Sequence, residues 1–297
     1  MVNLVPTIIL VAIWIGSFAI AGTPVLSLDH ASLLVRLLSF SALPILFLFS
    51  FVLISGSISL LGKSGIVSGK FPRELNNPIY KKRRIYTTCW TTVFYFKPLY
   101  ATVLAIPALK KMTFGIFGYR GSSKFTVYPD TWIRDLPLLK IQDGTYLSNR
   151  ATIGTNLCLT DGNIFVDQVS FGKDSMLGHL AMVGPGTKVG DKSEIGVGAA
   201  LGIRVNVHEN VRVGICSMIN HGVILRKNST VGNHSFLGLR VELGEDVNLP
   251  AGANIPAGAV IATQDDVNNY ITSDTKIVDR HKERLMELFN EDHSSTA

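Results

Sequence analysis

Charge is missing from two long stretches where a soluble chain would carry it. No acidic or basic side chain occurs from Val5 to Leu26, a run of 22 residues, or from Leu37 to Leu61, a run of 25. A helix needs about 20 such residues to cross a hydrocarbon core of ~30 Å, so each run is long enough to span a bilayer. Basic residues are also absent from Met1 to Leu4. A secretory leader needs a positive start, and here a second apolar run follows almost at once. Both facts argue against a cleaved signal, although Ala19 to Ala21 mimics a cleavage site. Cysteine is scarce too. Cys89, Cys158 and Cys216 are odd in number, scattered and without CxxC spacing. That excludes a disulfide framework and fits reduced thiols in a reducing compartment.

What is present first is a strongly apolar chain of 297 residues, 47% hydrophobic, with a net charge of +6. The two runs form a transmembrane hairpin in residues 1–62. After it come Lys63, Lys70, Arg73, Lys81, Lys82, Arg83 and Arg84, against a single acid, Glu74. The turn between the runs offers only Arg36, beside Asp29. The positive-inside rule therefore puts the chain from Lys63 onward in the cytoplasm, on an inner- or plasma-type membrane. The cluster suits an anionic lipid surface rather than nucleic acid, because no nucleic-acid recognition motif accompanies it. Residues 63–139 read as a basic, aromatic-rich connector. Its core, Ile85 to Tyr119, is broken by Pro98 and Pro107, as expected for short helices lying at the bilayer surface, with a third span as the alternative.

From Ile141 an apolar residue recurs every sixth position through Leu147, Ile153, Leu159, Phe165, Phe171 and Leu177 to Ile255 and Ile261. All 21 positions are large and apolar, and eleven are followed by glycine, as in "IGTN", "VGDK" and "LGED". Four positions after all but three of them, Ile153, Leu159 and Ile261, stands a small or β-branched residue, often Ala, Ser, Thr or Val. A strict period of this kind marks a repeat architecture. The pattern resembles the hexapeptide repeat, [LIV]-G-x-x-[small]-x, of left-handed parallel β-helix proteins, over about 125 of the 297 residues. The resemblance implies a mainly β fold, a left-handed β-helix in residues 140–264, with three hexads per triangular coil. In residues 265–297, Ile277, His281, Leu285 and Leu288 share one helical face behind Ser273 or Asp274, which predicts a short C-terminal helix capping the last coil.

The repeat runs with no insertion anywhere, so residues eighteen apart stack in columns. His221, in "INHGVIL", stands two positions after the inward Ile219 and between Ile203 and Leu239. Gly222 then lies between Arg204 and Arg240. In hexapeptide acyltransferases, which this chain resembles, the catalytic histidine commonly holds that hexad position. The resemblance implies transfer of an acyl group from acetyl-CoA or another acyl-CoA to a hydroxyl or amine, with His221 as general base. Gly222 would admit the pantetheine arm, and Arg204 and Arg240 would meet the donor's phosphates. A flanking carboxylate, present in some branches, is replaced here by Gly222. His179, in "MLGHLAMVGPG", is the alternative base, with Asp161 one coil below it in the same column. The family also implies a homotrimer with sites between prisms. The outward apolar residues Ile203 and Leu239 beside His221 suit such a contact.

Two other readings stay open. A non-catalytic scaffold would use the prism only to trimerise or bind partners. A γ-type carbonic anhydrase would use "NHGV" as a metal-binding segment. However, the H-x4-H pair is missing, since Cys216 stands five before His221, and His179 and His221 are too far apart along the axis to share an ion. No metal is therefore expected. The layout of hairpin, aromatic connector and β-helix is similar to the membrane-embedded C-terminal modules of peptide synthetases of the poly-lysine synthetase type. That similarity implies an acceptor held at the bilayer, lipid-linked in class, without naming it.

Overall fold

The computed structural model describes residues 4–26 and 32–270. The expected C-terminal helix lies outside the described residues. The chain forms two units. One comprises the chain up to Ser123 together with Arg134–Leu139 and Cys158–Asp167. The other comprises Lys124–Ile133, Lys140–Leu157 and the chain from Gln168 onward.

The first unit is helical. Helices α1 (Val5–Leu26) and α2 (Leu33–Lys63) coincide with the two uncharged runs, α2 extending further at its N-terminus to take in Arg36. Both are long and apolar enough to cross a membrane, with mean hydropathies of 2.1 and 2.5. Three shorter helices follow: α3 (Pro78–Tyr95), α4 (Lys97–Ala105) and α5 (Pro107–Ile116). Asn77 starts α3 by accepting the N–H groups of Ile79 and Tyr80 at 3.0 and 3.1 Å, as an N-cap does. Pro98 and Pro107 open α4 and α5, and the two helices meet at a bend of 117°. Helix α3 packs closely against the hairpin. A Cβ on Gly62 or Gly65 would come within 2.5 Å of α3 backbone atoms, and Ser55 donates its hydroxyl to the Cys89 carbonyl at 2.9 Å. Trp14 of α1 meets Phe96 with ring centroids 5.4 Å apart. Trp90, fully buried, sits edge-on to Tyr100, Phe114 and Phe117. Two of the seven basic residues after the hairpin are neutralised within the unit: Arg83 by the buried Asp135, and Lys70 by Asp161 at 2.6 Å.

The second unit is a parallel β-solenoid of three seven-stranded sheets. Its strands are mostly two residues long, the first side chain pointing out and the second in, so each hexad contributes one inward apolar residue. In the first sheet these are Val127, Leu147, Leu177, Ile195, Val213, Val231 and Leu249. In the second they are Ile133, Ile153, Val183, Leu201, Ile219, Leu237 and Ile255, and in the third Ile141, Phe171, Val189, Val207, Leu225, Leu243 and Ile261. The first strand of the solenoid starts at Thr126. The small residues four positions on, such as Ala181, Ser217 and Ala253, are buried where the coil interior narrows. Buried hydroxyls there bond carbonyls, as Ser217 does that of Gly232 at 2.9 Å.

The repeat does contain an insertion. From Phe171 upward each strand pairs with the one eighteen residues later, but Leu147 pairs with Leu177 and Ile153 with Val183, thirty apart. Twelve extra residues lie between Ile153 and Phe171, and of this stretch Cys158–Asp167 belong to the helical unit. Twelve is two hexads, so the period of six passes through the excursion unbroken, which is why it is invisible in the sequence. Leu159 and Phe165, expected inside the prism, are only half-buried. Ile164 and Val166 are the buried pair instead, packed with Phe71. Residues Gly69–Pro72 lie antiparallel to Asn163–Val166.

The glycine directly after an inward residue does not provide the left-handed corner. A Cβ on Gly184 would fall 2.7 Å from the Gly202 carbonyl oxygen, so this position sets how closely coils stack. The left-handed residue comes two positions later, where Leu180, Arg204, Gly222 and Arg240 have φ of 57°, 54°, 70° and 56°.

Candidate functional site

The outer surfaces of the three sheets differ in chemistry. The first presents Glu194, Arg212 and Thr230, and the third Lys188, Asn206 and Glu242. The second presents Thr152, Met182, Ala200, Met218 and Phe236, with Met182 49% and Met218 58% exposed. Exposed Leu180, Val197 and Ile215 line the corner before it, and Leu239 the corner after it. An apolar surface of this extent on one face marks a binding or contact surface. The sequence carries the signal: Met182, Ala200, Met218 and Phe236 stand eighteen positions apart.

A cleft of about 370 Å³ runs along this face. Met182, Ala200 and Met218 form its floor, Pro185, Ile203 and His221 one rim, and Asn156 and Leu157, from the start of the insertion, contribute to its lining. His221 is exposed at the rim. Its Nδ1 accepts the backbone N–H of Ile203, one coil below, at 2.9 Å. A neutral imidazole that accepts at Nδ1 carries its hydrogen on Nε2, so in this state the ring offers an N–H outward.

That bond is a feature of the solenoid rather than of His221 alone. Asn233 and Asp191 also stand two positions after an inward residue. Their Oδ1 atoms accept the N–H groups of Ile215 at 2.9 Å and Lys173 at 2.8 Å, each eighteen residues earlier. Three chemically different acceptors thus perform the same corner cap. The sequence columns placed His221 above Ile203 correctly, but they contained no sign that the side chain folds back onto the Ile203 backbone.

Gly222 lies beside His221 with Arg204 and Arg240 in the adjacent coils, as the column reading has it; all three are left-handed corners. The glycine is not an open gap, because a Cβ there would meet the Arg240 Cγ at 3.4 Å, so the Arg240 stem passes over it.

The pairing of His179 with Asp161 fails on register. The residue one coil below His179 is Asn149, whose carbonyl accepts the N–H of Leu180 at 3.4 Å. Asp161 belongs to the inserted segment, where it pairs with Lys70 and accepts the N–H of Asn163 at 3.0 Å. Lys70 first, and the Asn163 N–H second, hold its carboxyl down at about 2. His179 is half-buried on the opposite corner of the second sheet, and its ring makes no hydrogen bond with a described residue. His208 contacts Asn206 at 3.2 Å, and His234 is an exposed corner. Among the described residues no three His, Cys, Asp or Glu side chains converge as a metal site would need.

No family model matches the chain, and no curated protein does. Solved structures do. The acetyltransferase domain of PglB from Neisseria gonorrhoeae is 18% identical, over 39% of this chain and 48% of that one, with a TM-score of 0.30; a second structure of that domain is a complex with acetyl coenzyme A. Perosamine N-acetyltransferase from Caulobacter crescentus is 15% identical, over 52% and 58%, with a TM-score of 0.30. A hexapeptide transferase family protein from Anaplasma phagocytophilum is 15% identical, over 50% and 90%, with a TM-score of 0.35. The chain spans about half the length of the first two of these.

Proposed function

We propose that this protein is a membrane-anchored acyltransferase that moves an acyl group, acetyl first, from CoA to a hydroxyl or amine of a membrane-associated acceptor. The observation that carries this reading is His221 at the rim of an apolar cleft, with cationic Arg204 and Arg240 on the same corner. The acceptor heteroatom attacks the thioester carbonyl, the C–S bond breaks, and CoA leaves as a thiolate that recovers the proton taken by the base. For His221 to be that base, its ring must turn out of the Ile203 bond so that a lone pair faces the acceptor. The cation pair would hold the donor's phosphates. The apolar face suits contact with a second and third copy, which would close each cleft in a homotrimer. Helices α1 and α2 would hold the solenoid at the cytoplasmic surface, as the basic residues after Leu61 suggest.

The scaffold reading is favoured by one observation: His221 does the same capping work as Asn233 and Asp191, which no catalytic role explains. The deciding experiment incubates the full chain in detergent with radiolabelled acetyl-CoA and a membrane lipid extract. Label transferred to an extractable product, with release of free CoA thiol, is the expected result. CoA release no faster than in buffer, with no labelled product from any extract, would leave the scaffold reading.

A further inference from the structure

The helical unit contains a second cleft that the acyl-transfer reading does not use. It runs between α1 and α3 as two adjoining cavities of about 220 and 500 Å³ that share Pro6 and Thr88. The smaller is walled by Ile9, Leu75 and Ile85, and carries Lys81 and Arg84. The larger ends at Trp14 and Phe96. Neither Lys81 nor Arg84 forms an ion pair with a described residue, and no carboxylate lines either cavity. The threonines between the two ends add little polarity. Thr88, Thr91 and Thr92 donate their hydroxyls to the carbonyls of Arg84, Thr87 and Thr88 at 2.9, 2.7 and 2.8 Å, and so spend them on α3 itself.

We propose that this groove binds one anionic glycerophospholipid, its phosphate between Lys81 and Arg84 and one acyl chain along α1 and α3 toward Trp14. Charge and length both point to that occupant. From Arg84 to Phe96 is twelve residues, about 18 Å of helix, which is close to one leaflet of a ~30 Å hydrocarbon core. Lys81 and Arg84 lie beside the start of α1, the end of an apolar helix where a headgroup phosphate sits. Trp14 lies ten residues into α1, at the depth of a chain terminus. Two unneutralised cations above an otherwise apolar wall match an anion carrying a hydrocarbon tail, and a soluble phosphate would leave that wall wet. The inference stands on the helical unit alone and does not depend on acyl transfer.

The test uses the full chain in phosphatidylcholine nanodiscs, with phosphatidylglycerol or phosphatidylcholine brominated at mid-chain as the probe. The readout is quenching of tryptophan emission, taken as the part that is absent in Trp14→Phe. Brominated phosphatidylglycerol is expected to reach half-quenching at about tenfold lower mole fraction than the zwitterionic lipid. Lys81→Gln/Arg84→Gln should erase that difference, whereas Lys82→Gln, outside the groove, should keep it. Thr88→Trp, which fills the junction of the two cavities and leaves both cations, should abolish Trp14 quenching by either lipid and guards against misfolding of the double variant. Excess inorganic phosphate should not displace the lipid. Equal quenching by the two lipids, a preference that survives Lys81→Gln/Arg84→Gln, undiminished quenching in Thr88→Trp, or displacement by phosphate would each overturn the proposal.

Discussion

Replacing His221 in two ways separates its possible roles. Its Nδ1 holds the Ile203 N–H at 2.9 Å, and Asn233 performs the same service for Ile215 through Oδ1 at 2.9 Å. His221→Asn therefore substitutes an acceptor that this corner type already uses, but not a base. His221→Ala removes both. Losing one hydrogen bond at a half-buried backbone amide costs about 1 kcal/mol, which for a unit of this size is a drop of roughly 2–4 °C in Tm. The expected pattern is thus an unchanged Tm in His221→Asn, a small drop in His221→Ala, and a loss of about 10²–10⁴-fold in acetyl transfer for both. Thiol release from acetyl-CoA measures turnover, and scanning calorimetry measures the cap. His179→Ala should stay within a few-fold of the parent, and Arg240→Ala should raise KM for the donor while sparing kcat. If His221→Asn retains full turnover, the histidine is a cap and the base assignment is wrong. If His179→Ala alone abolishes transfer, the chemistry belongs to the other corner of the apolar sheet.

Deleting residues 154–165 removes two hexads, so Ile153 to Phe171 becomes a single six-residue step and the solenoid should keep its far-ultraviolet spectrum. Deleting 154–163 instead puts every later inward residue out of phase and should give insoluble protein; equal behaviour of the two deletions would refute the register. Arg83→Met leaves the Asp135 carboxylate buried without its cation and should destabilise the helical unit by about 3–5 kcal/mol. Arg83→Met/Asp135→Asn should recover much of that in detergent melts, and a double variant as unstable as the single would count against the ion pair. Asp161 is depressed to about 2 mainly by Lys70. A carboxyl lowered in the folded state stabilises above its unfolded pKa near 3.9, so this contribution is lost as pH falls from about 4 toward 2. In Lys70→Met, carboxyl titration by NMR should show Asp161 moving up toward the ordinary range; no movement would mean that Lys70 is not the cause.

The solenoid was legible because its rule is periodic and local: each hexad needs one large inward side chain and one small or β-branched one, and the chain supplies both at every step from Phe171 to Val260. The same regularity hid the excursion. A period reports position only modulo six, so a twelve-residue departure leaves no phase error, and the column below His179 was filled with Asp161 where the structure has Asn149. Columns above Phe171 are unaffected, which is why Ile203, His221 and Leu239 do stack as read. What no column could show is the direction of a side chain at a corner. Backbone N–H groups at these corners have no partner within their own strand, and any acceptor two positions past the inward residue one coil above can reach back to them. Aspartate, asparagine and histidine all do so here. A histidine in that place is consequently explained twice, once by the corner and once by chemistry. Asparagine satisfies only the first explanation, so His221→Asn, more than any column count, decides whether the cleft beside it catalyses anything.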